Sequence, residues 1–215
     1  MKFSPACWLA LLLTAISAAI GAWTWTHLPP GGGIATNYLG LDGVRHVGLT
    51  RAPLWMLPAI SAVLTLGLSL ARVRRGAEAA LLPLDMTLIA LAGLLLVTQT
   101  ALVGRAFDPA FNVLQPVGAA TGVLLIAVGN YLGKARRNAV FGVRTPWTLA
   151  DATVWDRTHR FTGVVMVLGG LVLIALALLL KDSVAVGLSI ALCAALPTLA
   201  GVVRSAAIAR RVQRG

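Results

Sequence analysis

The chain has 215 residues, 58% of them hydrophobic and 12% charged, with a mean hydropathy of +0.86. A soluble domain carries about a quarter charged residues, so these values exclude an ordinary water-soluble core and point to a polytopic membrane protein. The net charge of +11 would suit a nucleic-acid binder, but in so apolar a chain it reflects Lys and Arg held on one side of a membrane, and no nucleic-acid partner is expected.

A helix needs about 20 mostly apolar residues to cross a bilayer, and six stretches qualify. The first, 5–26, follows Lys2 as a signal peptide would. Its length, its terminal Trp23 and Trp25 and the lack of a small-x-small cleavage site make it a retained anchor. Residues 27–51 then form a long polar loop whose "PPGGG" predicts a flexible turn. The second span covers 52–71 and the third 86–103. The fourth covers 113–132, the fifth 161–180 and the sixth 184–203. Cys7 and Cys193 each lie inside an apolar run, so they are packing residues and no disulfide is expected. No repeat or soluble domain interrupts the chain. One membrane domain is expected over 1–215, with a two-span part at 1–71 and a four-span part at 83–215.

Lys and Arg set the orientation. Six alternating spans put fourteen of them on one side and four, Arg45, Arg51, Arg105 and Lys181, on the other. The rule that cytoplasmic loops are Lys- and Arg-rich then places both termini in the cytoplasm, with loop 27–51 outside and loop 133–160 inside. The predicted fold class is all-α, a polytopic membrane protein of six transmembrane helices.

Within the spans, small residues should carry the packing. Gly118 and Gly122 of span four lie on a face that continues through Ile126 to Asn130. Span five has Gly163, Gly169 and Gly170, and span six has Gly187, Ala191 and Ala195. Pro58 and Pro197 should loosen helical hydrogen bonds, whereas Pro116 sits in a first turn where it costs little. Span three carries only Thr98, Gln99 and Thr100 as polar residues, which argues against a pump or ion-coupled transporter.

The chemistry concentrates in "NYLGKARRNAVFGVRTPWTLADATVWDRTHRFTG", 130–163. Lys134, Arg136 and Arg137 suit a helix C-terminus and an anionic leaflet. Gly142 permits a turn, and Pro146 holds Thr145 extended. Thr148 is the expected N-cap of a helix from about residue 149, with Asp151 completing a capping box. Asp151, Trp155 and His159 then share one face, and Asp156 and Arg160 form an i, i+4 pair. Trp147 and Trp155 are expected at the membrane interface. His159 lacks a His-x-x-x-His or Cys neighbour, so no metal site is expected, and nothing calls for a cofactor. Asp151 could serve as a general base, but capping is role enough for it.

This stretch resembles the SdpI family of bacterial membrane proteins. The residues that carry the likeness are Asn130, Tyr131, Gly133 and Lys134; Asn138; Gly142, Arg144, Thr145, Pro146, Trp147 and Thr148; Trp155; and Thr158, His159 and Arg160. Gly163 and Gly169 fit the span that follows. The family's small N-terminal region is matched in degenerate form by Leu28-Pro29, "LGLDG" at 39–43 and Leu57-Pro58. Ala35 and Asn37 stand where a Pro-x-His element is expected. The resemblance implies immunity to a secreted peptide toxin as partner, and in some members a cytosolic repressor held at the membrane.

Three functions compete on this reading. The first is toxin immunity. The second is signal transduction, with Arg144, Arg157 and Arg160 meeting an acidic partner and Trp147 and Trp155 as anchors. The third is an enzyme acting on membrane lipids or peptides through a polar pocket of Asn130, Asn138, Arg144, Thr158 and His159. The third lacks a nucleophile–base pair, and no catalytic residue is assigned. A toxin that arrives from outside and a motif that lies inside make the motif a keystone rather than the first point of contact.

Overall fold

The computed structural model describes residues 4–39, 45–71, 81–138 and 140–212. The elements in order are α1 (Pro5–His27), β1 (Ile34–Leu39), β2 (Arg45–Thr50), α2 (Pro53–Ala71), α3 (Leu81–Phe107), α4 (Leu114–Leu132), α5 (Pro146–Ala150), α6 (Ala152–Leu179) and α7 (Ser183–Val212). Six helices are long and apolar enough to cross a membrane: α1, α2, α3, α4, α6 and α7. The 19 residues of α2 and of α4 rise about 28 Å, close to the hydrocarbon thickness. The 28 of α6 and 30 of α7 rise about 42 and 45 Å, so these helices project well past it.

Inside and outside are reversed relative to a soluble protein. Leucines and valines such as Leu178, Leu179 and Val203 face outward, while Ser17, Thr24, Ser61, Thr65, Ser69, Gln99 and Thr121 are buried. Lipid offers no drive to hide Leu, so close approach and hydrogen bonding between helices select small and polar residues for the interior. α4 and α6 show this most clearly. They run antiparallel, with Gly129 against Gly163 and Gly122 against Gly170. A Cβ at Gly129 would stand 2.7 Å from the Gly163 carbonyl oxygen, and one at Gly122 2.6 Å from that of Gly170. Gly118 extends the seam to Ala177. On α7 the expected face is not the packed one. Ala191 and Ala195 are exposed, and the buried stripe runs Val186, Pro197, Gly201, Ser205, Ile208 and Ala209. Gly201 leaves room for Thr162 of α6.

In the first half, Thr14 Oγ1 lies 2.6 Å from Ser61 Oγ and Cys7 Sγ 3.1 Å from Ser69 Oγ, joining α1 to α2. Pro58 has no N–H to give the Leu54 carbonyl one turn back. Gln99 Nε2 of α3 donates to that carbonyl instead, at 3.2 Å. Gly21 of α1 makes the space, since a Cβ there would run into the Leu54 oxygen. Pro58 is therefore repaired from a neighbouring helix, as buried prolines in spans must be.

The loop after α1 holds a two-stranded antiparallel sheet, pairing Ile34 with Thr50 through Leu39 with Arg45. An all-helical reading had no place for it. "PPGGG" is also tied down rather than loose. Arg51 donates to the carbonyls of Gly32 (2.9 Å), Trp25 (3.2 Å), Leu28 (3.4 Å) and Pro29 (2.8 Å), and its guanidinium lies 5.3 Å from the centroid of a Trp25 ring. Leu28, Ile34 and Leu54 anchor the sheet on Leu102, Val103 and Ala106 of α3. Most of "LGLDG" at 39–43 and all of 72–80 fall outside the described residues.

Ends of the bundle sort as the alternation requires. Ser4 Oγ donates to Asp85 Oδ1 at 3.2 Å, joining the starts of α1 and α3. At the other end Asn112 Nδ2 donates to the Lys181 carbonyl at 3.0 Å.

Candidate functional site

The motif residues form a cap over one end of α4, α6 and α7. α4 stops at Leu132, and the chain turns at once, with the Lys134 and Ala135 N–H groups donating to the Tyr131 and Leu132 carbonyls. Asn138 is buried and organises the next turn. Its Oδ1 accepts from the N–H of Val140 (2.8 Å) and Phe141 (2.7 Å), and its Nδ2 donates to the Arg136 carbonyl (2.8 Å). A short polar side chain that bonds its own backbone in this way substitutes for secondary structure.

Gly142 follows with φ +115°, a conformation that residues with a side chain rarely adopt. A Cβ there would collide with the His159 ring and stand 2.8 Å from its Cδ2. That clearance lets Val143 N–H donate to His159 Nε2 at 2.9 Å. On its other edge the ring contacts the Trp155 carbonyl through Nδ1 at 2.8 Å. An acceptor at Nε2 and a donor at Nδ1 define a neutral imidazole with its proton on Nδ1. The ring also stacks on Trp155, with centroids 3.9 Å apart and planes 19° from parallel. Trp155 is wholly buried, and its Nε1–H donates to the Ala135 carbonyl at 2.8 Å. The membrane-interface role expected for Trp155 is thus replaced by a place inside the protein.

The capping arrangement differs from the expected one by three residues. Thr145, not Thr148, is the N-cap, with Pro146 at the first helical position. Thr148 is the N3 partner in the capping box. The Thr148 N–H donates to Thr145 Oγ1 (3.3 Å), and the Thr145 N–H to Thr148 Oγ1 (2.9 Å). The Thr148 hydroxyl proton reaches the Val143 carbonyl at 2.8 Å. The resulting helix, α5, ends after five residues at Asp151. Asp151 then caps α6, its Oδ1 accepting from Val154 N–H at 2.8 Å. Two helices with two caps replace the single helix foreseen from residue 149. Trp147 fastens α5 to α7 by donating to Ser205 Oγ at 2.7 Å, while its ring packs on Val154, Ile208 and Ala209.

Other motif residues stand apart. Asn130 is exposed and accepts from Lys134 Nζ at 3.3 Å. Lys134 also lies over the Tyr131 ring at 5.5 Å. Thr158 is fully buried, and its hydroxyl has no partner among the described residues. Gly133 packs against Arg160 of α6, a Cβ there standing 3.5 Å from the Arg160 Cα. Arg144 is exposed at the rim of a cavity of about 310 Å³ that Phe141–Thr145 roofs and Val128, Leu132, Met166 and Val202 wall. The polar pocket of Asn130, Asn138, Arg144, Thr158 and His159 does not assemble. Asn138 and His159 bond the loop backbone, and Asn130 and Arg144 face outward on their own. Sequence reasoning missed the Ala135 carbonyl and Ser205, and it missed the partner of Arg137, whose Nη1 donates to the Ala150 carbonyl at 3.1 Å. These are backbone or distant partners that no local pattern marks.

Residues 134–205 match the SdpI/YfhL protein family. By this segment the chain is similar to the SdpI family. The SdpI-family segment takes in most of the cap, from Lys134 through Arg160, and also Ser205; Asn130, Tyr131 and Gly133 lie just before it. One relative is the protein named Immunity protein SdpI of Bacillus subtilis (strain 168), 35% identical over 79 residues. The match covers 37% of this chain and 37% of that relative. No solved structure matches the chain. The family likeness and the six apolar helices together make this a multi-pass membrane protein.

Proposed function

We propose that this protein gives a bacterium immunity to a secreted peptide toxin, acting as a multi-pass protein of the inner membrane. The observation that carries the reading is the 35% identity over 79 residues to a protein named for immunity, beside a family match over 134–205 that takes in most of the interlocked cap. In the proposed orientation both termini and the cap face the cytoplasm, because the alternation of six spans assigns fourteen of the eighteen Lys and Arg in the sequence to that side. Protection then depends on the cap as a structural keystone. Expressing the full chain in a sensitive host should raise survival under a membrane-active bacterial peptide. Unchanged killing by every such peptide tried, at verified membrane levels of the protein, defeats the reading.

Signalling is a second reading, favoured by the exposed arginines Arg136 and Arg144 on the cap. They offer guanidinium groups to an acidic face of a cytosolic repressor. Crosslinking from residue 144 in cells should then capture a soluble protein, and capture of lipid alone counts against it.

A further inference from the structure

Four arginines converge on one concavity beside the cap. Arg157 and Arg160 come from α6, and Arg204 and Arg211 from α7. With Ala207 and Ile208 they line a hollow of about 290 Å³. The spacing explains the convergence. Residues 157 and 160 are one turn apart on α6, and 204, 208 and 211 follow a single stripe on the antiparallel α7. Among the described residues no carboxylate pairs with any of the four, Asp156 included, so the i, i+4 pair expected with Arg160 does not form. Only Arg204 has another contact of note, its guanidinium 5.3 Å from the Phe161 ring centroid.

Like charges this close repel, and proteins normally relieve such repulsion with an acid or an anion. The depth of the cluster says which anion. On α6 the charge-free run begins at Phe161, one residue after Arg160. On α7 it ends at Val203, one residue before Arg204. The guanidinium groups therefore sit at the edge of the hydrocarbon, at the level of lipid phosphates. Outward leucines and valines below, such as Leu199 and Val203, supply the surface an acyl chain would lie along. A guanidinium fork matches phosphate oxygens two at a time, and several forks hold one headgroup more firmly than a diffuse basic surface does.

We propose that this cleft is a binding site for the phosphate of an anionic membrane lipid, seated between α6 and α7. The ligand chemistry is a phosphate oxyanion, and its source is the lipid rather than free phosphate. The test uses the purified full-length chain in non-ionic detergent. Short-chain phosphatidylglycerol and phosphatidylcholine are titrated in, and bound lipid is counted by native mass spectrometry. Phosphatidylglycerol should bind in preference to phosphatidylcholine. Arg204→Gln with Arg211→Gln should weaken it about thirtyfold, at about 1 kcal/mol per arginine. Arg204→Lys with Arg211→Lys should retain much of the binding, which guards against loss through misfolding. Arg210→Gln, outside the hollow, should change nothing. Equal binding of the two lipids, unchanged binding in the double Gln variant, or equal loss in Arg210→Gln overturns the proposal. So does displacement of the lipid by an equal concentration of inorganic phosphate, which would mark a free-anion site, or by poly-glutamate, which would mark an acidic protein as the occupant.

Discussion

Gly142→Ala is the sharpest test of the cap. Two separate costs meet at that position. The first is the backbone, since φ of +115° is a region that costs a residue with a Cβ about 1–3 kcal/mol. The second is steric, because the new methyl enters the His159 ring. Relief requires the ring to move, which breaks the Val143–His159 hydrogen bond of 2.9 Å and its stack on Trp155. A buried hydrogen bond contributes about 1 kcal/mol, and overpacking costs about 1–3. The sum is roughly 3–7 kcal/mol, enough to loosen the cap. Tryptophan emission during thermal unfolding in detergent should report an earlier transition, because Trp155 sits at the centre. Gly67→Ala is the control: a Cβ there meets nothing within 4 Å, and Ala for Gly in a helix stabilises by about 1 kcal/mol. A cycle with His159→Ala separates the two costs. Removing the ring should cancel the steric part, so the double variant should be less impaired than the sum of the singles. Strict additivity, or a Gly142→Ala protein as stable as Gly67→Ala, refutes the account.

Three further outcomes follow from the packing. Gln99→Leu should destabilise the first half by about 1–3 kcal/mol, because the Leu54 carbonyl loses its donor, and adding Pro58→Ala should restore part of it by returning a backbone N–H; unfolding of the two variants in detergent compares them. Gly163→Leu should separate α4 from α6, which a crosslink between cysteines placed at Asn130 and Val164 would detect as a lost or weakened product. With Cys7 and Cys193 replaced by Ser, a cysteine at Ala150 should resist a membrane-impermeant thiol reagent added to whole cells, while one at Ala110 should react; the reverse pattern inverts the proposed topology.

Six spans are legible in the sequence because a bilayer imposes a length and an apolar content that few other structures share. Their ends are less so. α3 extends beyond 86–103 at both ends, and α7 continues nine residues past 203, because helical backbone persists outside the hydrocarbon where hydropathy no longer records it. The hairpin after α1 escapes for a different reason. Its glycines and short apolar–polar alternation read as loop, and what fixes it is Arg51, reaching back to carbonyls from Trp25 to Gly32, and the end of α3. In the cap, the turn at Gly142 and the extended Thr145 before Pro146 are local effects and can be read directly. The N-cap is not, because Thr145 and Thr148 are both competent and the choice rests on the Val143 carbonyl, which only Thr148 can reach. Trp155 is similarly ambiguous by type. A tryptophan near a membrane surface suits the headgroups, and only the Ala135 carbonyl beneath it draws it inside.

The same geometry constrains how the cap could serve immunity. Asn138, Thr148, Trp155 and His159 spend their polar groups on the chain itself, and Trp147 spends its N–H on Ser205. Replacing any of them perturbs the fold first, so a loss of protection in such variants says only that the cap must be intact. Arg144 is different. It is exposed, it takes no part in the hydrogen-bond network, and it stands at the rim of the cavity under Phe141–Thr145. Arg144→Ala should therefore leave the unfolding transition within about 0.5 kcal/mol of the parent, as surface changes do. If that stable variant also fails to protect a sensitive host, the cap contributes a contact as well as a scaffold. If it protects fully, the motif acts through rigidity alone, and the proposed contact with toxin is to be sought on another surface of the molecule.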